Sequence, residues 1–191
     1  MNPRADTLLV AAARAELGGA DGLELGVGLV RATATLAAHL ARHRPDHVVL
    51  VGTAGALPTD RPDPPSIGDA LVVTEAMLGS PAAALDLGYI PLAPSPLTPF
   101  APPGSPRVRA LCNLAITTDP ALATMFGREC DLENMEVYGV AWACTIAAVP
   151  WSAVLGVTNR VGPEAHAQWR ANRAEAEAAA RHLARRLFFE A

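Results

Sequence analysis

The chain has 191 residues, 15 basic against 19 acidic side chains, a formal net charge of -4 and 51% hydrophobic residues. That is enough apolar material for one sizeable core and excludes a mostly disordered protein, while the mild acidity argues against nucleic-acid binding or a polybasic membrane anchor. All 15 basic residues are Arg, so a lysine Schiff base and a P-loop Lys are both excluded.

Thr7 to Ala12 is a short apolar run of the kind a strand covered on both faces shows, and Leu23 to Val30 is a second strand ending in glycines. From Arg31 the segment RATATLAAHLARHR has helical apolar spacing and closes on His and Arg, which suit a helix C-terminus. HVVLVG, from His47, is a third strand, terminating in the turn-forming GTAGAL. A proline-rich loop, Pro58 to Ser66, precedes the strand Ala70 to Met77, and Gly79 to Pro106 reads as an irregular excursion.

Leu111 to Thr118 resumes the strand pattern, a short helix follows Pro120, and ENMEVYGVAWACTIAA is the main buried helix. Val137 to Asn159 has no charged residue and is long enough to span a bilayer, but Pro150 and two Trp divide it into a buried helix and a buried strand. An amphipathic helix from Gln168 to Phe189 completes the chain, and its Arg181, Arg185 and Arg186 beside Leu187 to Phe189 suit a docked element. Apolar strands alternating with helices predict a single α/β domain over 1–191, a three-layer α/β/α sandwich around a mixed, mostly parallel twisted sheet.

The three cysteines, Cys112, Cys130 and Cys144, form no C-x-x-C pair, which favours a reducing cytoplasm over a disulfide framework or structural zinc. The N-terminus lacks a signal-peptide layout, because its apolar run passes directly into Arg14 and Glu16. His39 and His43 share a helical face, but no third ligand follows nearby, so no metal is expected. GVGLVRA has Ala32 near the place of the third glycine of a dinucleotide fingerprint, and no Ser lies in a G-x-S-x-G elbow. No cofactor is therefore expected.

Ligands of an open α/β sheet gather at the carboxyl ends of its strands, which here carry Ala13 to Glu16, Gly52 to Gly55, Thr117 to Asp119 and Thr158 to Arg160. Glycines in GTAGA let backbone N–H groups of Thr53, Ala54 and Gly55 approach a ligand, and Thr118 is a further candidate contact. Glu136 begins an otherwise apolar helix, where a carboxylate is costly unless a partner or ligand meets it, although capping the first turn would also account for it. Met135 beside it can pack on a flat ligand.

Six segments in order, LLVAAARAEL, GVGLVRATATLAAHL, PDHVVLVGTAGAL, SIGDALVVTEA, ENMEVYGVA and VPWSAVLGVTNRVG, resemble the purine nucleoside phosphorylase and nucleosidase superfamily over most of the chain. Within it the chain is most similar to the hydrolytic branch of methylthioadenosine/S-adenosylhomocysteine nucleosidases and futalosine hydrolases, and NRVGPEAHAQW leans toward the latter. The resemblance implies cleavage of a purine nucleoside by water, since Leu50 stands where phosphorylases carry a phosphate-binding Arg.

It further implies that Glu16 activates the water, that Glu136 binds the ribose hydroxyls with Met135 packed on the sugar, and that Asn159 meets the leaving base. Asn159 stands where adenine-specific relatives carry an Asp, and an amide matches a 6-oxopurine. Homodimerisation is likewise implied by the resemblance. Val137 and Tyr138 depart from the family's small residues after Met-Glu, and the segment 119–133 is short. A phosphorolytic enzyme, with Arg31 or Arg160 reaching phosphate, and a non-catalytic nucleoside binder are the alternatives.

Overall fold

A computed structural model describes residues 6–91 and 96–190. Its elements in chain order are β1 (Thr7–Ala11), α1 (Arg14–Leu17), β2 (Leu23–Glu24), α2 (Leu29–Leu40), β3 (His47–Ala56), β4 (Ala70–Leu78) and α3 (Pro81–Ala84). They continue with β5 (Arg107–Cys112), α4 (Pro120–Gly127), β6 (Leu132–Asn134), α5 (Val137–Ala147), β7 (Trp151–Arg160) and α6 (Ala165–Phe188).

β3 and β7 are the two long strands, buried along almost their whole length, and they pair in parallel from Val48↔Trp151 to Ala56↔Arg160. Alternation sends successive residues to opposite faces. Val48 and Leu50 join one apolar cluster with Leu36 and Leu40 of α2 and Val140 and Ala141 of α5. Val49 and Val51 join another with Leu17 of α1 and Ala180, Leu183 and Ala184 of α6. Each face is held to its helices by apolar burial, at about 25 cal/mol per Å² removed from water.

The sheet is mixed and mostly parallel, as expected, but it is closed where an open one was expected. β4 pairs antiparallel with β7, β5 parallel with β4, β6 parallel with β5, and β6 antiparallel with β3, which brings the ring back to its start. Strand pairing therefore describes a closed, barrel-like sheet with β1 and β2 added outside β3, and a layered sandwich does not capture it. Register shifts between Ala54 and Gly55 and between Val73 and Glu75 mark bulges, the devices that sharpen twist and curl a sheet toward closure.

Several elements differ from the sequence reading. Leu23 to Val30 is a strand only over two residues, because Gly26 and Gly28 take positive φ of 86° and 94° and start α2 at Leu29. GTAGA is strand where a turn was expected, so β3 runs on to Ala56. The strand expected over Leu111 to Thr118 lies earlier, leaving Thr117 and Thr118 in a loop. Glu133 and Asn134 end β6 and Met135 lies in the connection, with α5 starting only at Val137. The uncharged stretch Val137 to Asn159 is α5, the Val149-Pro150 connection and most of β7, and no helix among the described residues is long and apolar enough to cross a membrane.

Candidate active site

The site lies where β3 changes neighbours along one edge. β1 accompanies β3 only as far as Val10↔Leu50, and β6 joins the same edge from the opposite direction at Gly55↔Glu133. Among the described residues, 51–54 of β3 have no strand partner on that edge. The chain leaving β1 and the chain leaving β6 converge on this interval, as ligand-binding segments do at the switch point of a parallel sheet.

A cavity of about 390 Å³ fills the convergence, lined among others by Glu16, Thr53, Met135, Glu136, Asn159 and Trp169. Ala54 and Gly55 also line it, so the structure brings together seven of the eight residues expected from the sequence. Thr118 is the exception: it is exposed in the loop after β5 and does not reach the cavity, while its neighbour Thr117 is buried.

Glu16 sits in the short helix α1 with its carboxylate turned back to accept the Ala13 N–H at 2.9 Å. Arg181 Nη1 donates to the Glu16 carbonyl at 3.0 Å and ties this turn to α6. Burial pushes the Glu16 carboxyl up to about 7, the Ala13 N–H pulls it back, and the nearby Glu136 and Glu177 push it further up. A carboxyl of that strength is divided between its two forms near neutrality, which is what a general base needs.

Glu136 is held from two sides. The Gly28 N–H donates to Oε1 at 2.7 Å, and Asn134 Nδ2 donates to Oε2 at 3.1 Å. Burial raises its carboxyl while both donors pull it back down. Asn134 organises the turn: its Oδ1 accepts from the N–H groups of Glu136 and Val137, and its Nδ2 also donates to the Thr53 carbonyl at 3.0 Å. Glu136 therefore does more than cap α5, because its side chain accepts no N–H from that helix.

Asn159 owes its direction to the bulge in β7. Ala54 pairs with Val157 and Gly55 with Asn159, so Thr158 is the extra residue. Its hydroxyl lies 3.2 Å from the Ala54 carbonyl and 2.7 Å from Asn159 Oδ1. Without the extra residue Asn159 would move one place along and face away from Gly55. Gly55 keeps the space clear, since a Cβ there would come within 2.7 Å of Asn159 Nδ2.

Three features were not read from the sequence. Glu133 and Asn134 lie on β6, a strand hidden inside what looks like a helix start. Trp169 donates toward the Thr53 hydroxyl at 3.4 Å and carries Arg173 over its ring at 5.2 Å, both on a helix that begins three residues before its expected start. The buried Glu177, one turn before Arg181, also lines the cavity. Arg31 and Arg160, the candidate phosphate ligands, are exposed and do not line the cavity. Among the described residues no three metal-ligating side chains are grouped, and His39 and His43 stack on each other at 4.6 Å.

The chain is 32% identical to a futalosine hydrolase of Thermus thermophilus over 187 aligned positions, covering 88% of this chain and 80% of the relative. The chain belongs to the futalosine hydrolase family. No family model matches it. Solved structures agree on the fold of the wider nucleoside phosphorylase and nucleosidase superfamily. A futalosine hydrolase of Helicobacter pylori superposes with a TM-score of 0.74 at 17% identity, covering 93% of this chain and 94% of that one. A methylthioadenosine/S-adenosylhomocysteine nucleosidase of Colwellia psychrerythraea, solved in complex with adenine, gives 0.76 at 15% identity, covering 93% and 91%. As a member of the futalosine hydrolase family the protein is a nucleosidase, an N-ribosyl hydrolase that cleaves an N-glycosidic bond.

Proposed function

We propose that the substrate is a futalosine-like 6-oxopurine nucleoside, and that Glu16 activates the attacking water. The observation that carries this reading is the convergence in one cavity of two buried carboxylates, Glu16 and Glu136, with an amide, Asn159, across β3. Glu136 grips the ribose hydroxyls and Met135 packs on the sugar, while the backbone of Thr53, Ala54 and Gly55 lies along the nucleoside. The bond from C1′ to the base nitrogen loosens first, its electron pair leaving with the base, so that positive charge develops on the ribose. Water then adds to C1′ and gives its proton to Glu16.

Asn159 stabilises the departing base. Its Nδ2 already donates one hydrogen to the Arg160 carbonyl at 3.1 Å, and an amide nitrogen has a second for an oxygen or ring nitrogen of the base. Water is favoured over phosphate because Arg173 is the only guanidinium among the described residues that line the cavity, and Leu50 is 2% exposed within the core. Release of hypoxanthine from inosine or futalosine, followed by chromatography with and without phosphate, tests the reading. Equal rates in both media are expected, and strict phosphate dependence would overturn it.

The family resemblance and an apolar groove between α2 and α5 support a homodimer. Val30 and Trp142 stand exposed along this groove, beside Leu78 and Ile90. Sedimentation at micromolar concentration checks it: a dimer is expected, and a monomer of the intact chain would rule it out. Burial pushes all three thiols up to about 12, which keeps them protonated and poor nucleophiles near neutrality.

A further inference from the structure

Glu133 is a buried carboxylate that the hydrolytic steps do not use. It lies on β6 directly opposite Gly55, while Asn159 lies directly opposite the same Gly55 on β7. Glu133 and Asn159 therefore flank one glycine, about 10 Å apart at two strand spacings. Both residues line the cavity. A flat base lying over Gly55 would present one edge to each.

The hydrogen bonding of Glu133 is lopsided. Oε1 accepts from Asn113 Nδ2 at 2.6 Å and from the Thr117 hydroxyl at 2.7 Å, so it is filled. Among the described residues Oε2 accepts only the Thr117 N–H, at a long 3.3 Å. A carboxylate can accept about four hydrogen bonds, so one place is left, on Oε2. Asn113 turns its amide nitrogen toward Glu133, so Glu133 accepts at Oε1, and among the described residues the buried Asn113 oxygen has no partner.

An acceptor placed at a base edge selects for a donor there. In a 6-oxopurine the ring N1 carries a hydrogen; in adenine the same nitrogen is an acceptor and would face the carboxylate lone pair to lone pair. We propose that Glu133 is a specificity-determining residue that accepts the N1–H of a 6-oxopurine base, opposite Asn159. This rests on the nucleoside reading of the cavity and adds the residue that would choose the base.

Two measurements test it. Calorimetry on the wild-type chain with hypoxanthine, 1-methylhypoxanthine and adenine needs no variant: hypoxanthine is expected to bind about 10- to 100-fold more tightly than either, the factor of one hydrogen bond to a charged group. Equal binding of hypoxanthine and 1-methylhypoxanthine overturns the proposal. In Glu133→Gln the ratio of kcat/KM for inosine over 1-methylinosine is expected to fall by a similar factor. A purely structural Glu133 would lower both alike and leave the ratio unchanged, which also overturns the proposal. Hydrolysis of inosine and 1-methylinosine with equal kcat/KM leaves the nucleosidase reading standing and removes this one, whereas discrimination in binding without turnover does the reverse.

Discussion

A Glu16→Gln variant is expected to lose about 10²- to 10⁴-fold in kcat, the range a positioned general base supplies, while binding of the free base changes little. The wild-type rate should fall about tenfold per pH unit below the Glu16 transition near 7 and level off above it, because only the ionised carboxylate takes a proton from water. Stability moves the other way. Between 4.5 and about 7 the folded chain holds the Glu16 proton more tightly than the unfolded chain does. The folded state then binds more protons, so its stability falls as pH rises, by about 3 kcal/mol over the whole interval. Glutamine cannot ionise, so the variant should be more stable than the wild type at pH 8 and show no such advantage at pH 4. Thermal unfolding at the two pH values, with the rate profile, checks both halves. A variant equally stabilised at both pH values, with an unchanged rate profile, would remove Glu16 from the role of base.

Glu136→Gln is expected to lower kcat/KM by about 10²- to 10³-fold, as does loss of a group that stabilises charge formed in the transition state. The isosteric amide keeps an oxygen for the Gly28 N–H, yet its nitrogen would meet Asn134 Nδ2 donor to donor. Some of the loss is therefore local rearrangement, and substrate chemistry separates it from the ribose contact. Wild-type enzyme should prefer inosine to 2′-deoxyinosine, because removing one hydroxyl removes a hydrogen bond to the carboxylate. In the variant that preference should largely vanish. If it survives unchanged, Glu136 does not hold the ribose.

Much of the site was legible because its residues stand at strand ends, where a polar group in an apolar run is conspicuous: Glu16 after β1, Asn159 at the end of β7 and Glu136 before α5. Glu133 and Asn134 were hidden because three residues of strand are too few to show alternation beside eleven of helix. Thr118 was misplaced because LCNLAITT resumes an apolar run after Asn113, with Leu114, Ala115 and Ile116 ahead of the two threonines, so a lone Asn is the single local sign that the strand stops at Cys112. Closure of the sheet was hidden for a different reason. It depends on antiparallel pairings of β6 with β3 and of β4 with β7, contacts between segments about 75 to 85 residues apart, and local patterns carry no record of them.

The shortness of β1 has a cost and a use. Had β1 run two or three residues further beside β3, the edge of β3 would be mended, and the sheet would gain hydrogen bonds while losing the room now taken by α1 and the turn into α5. The active site is a kept defect in an otherwise regular lattice. Substitutions that repair it, by extending β1 past Ala11 or regularising the bulge at Thr158, belong to the class that gains stability by giving up function. Selecting variants of this chain for heat resistance alone would push toward a smoother sheet and a silent enzyme.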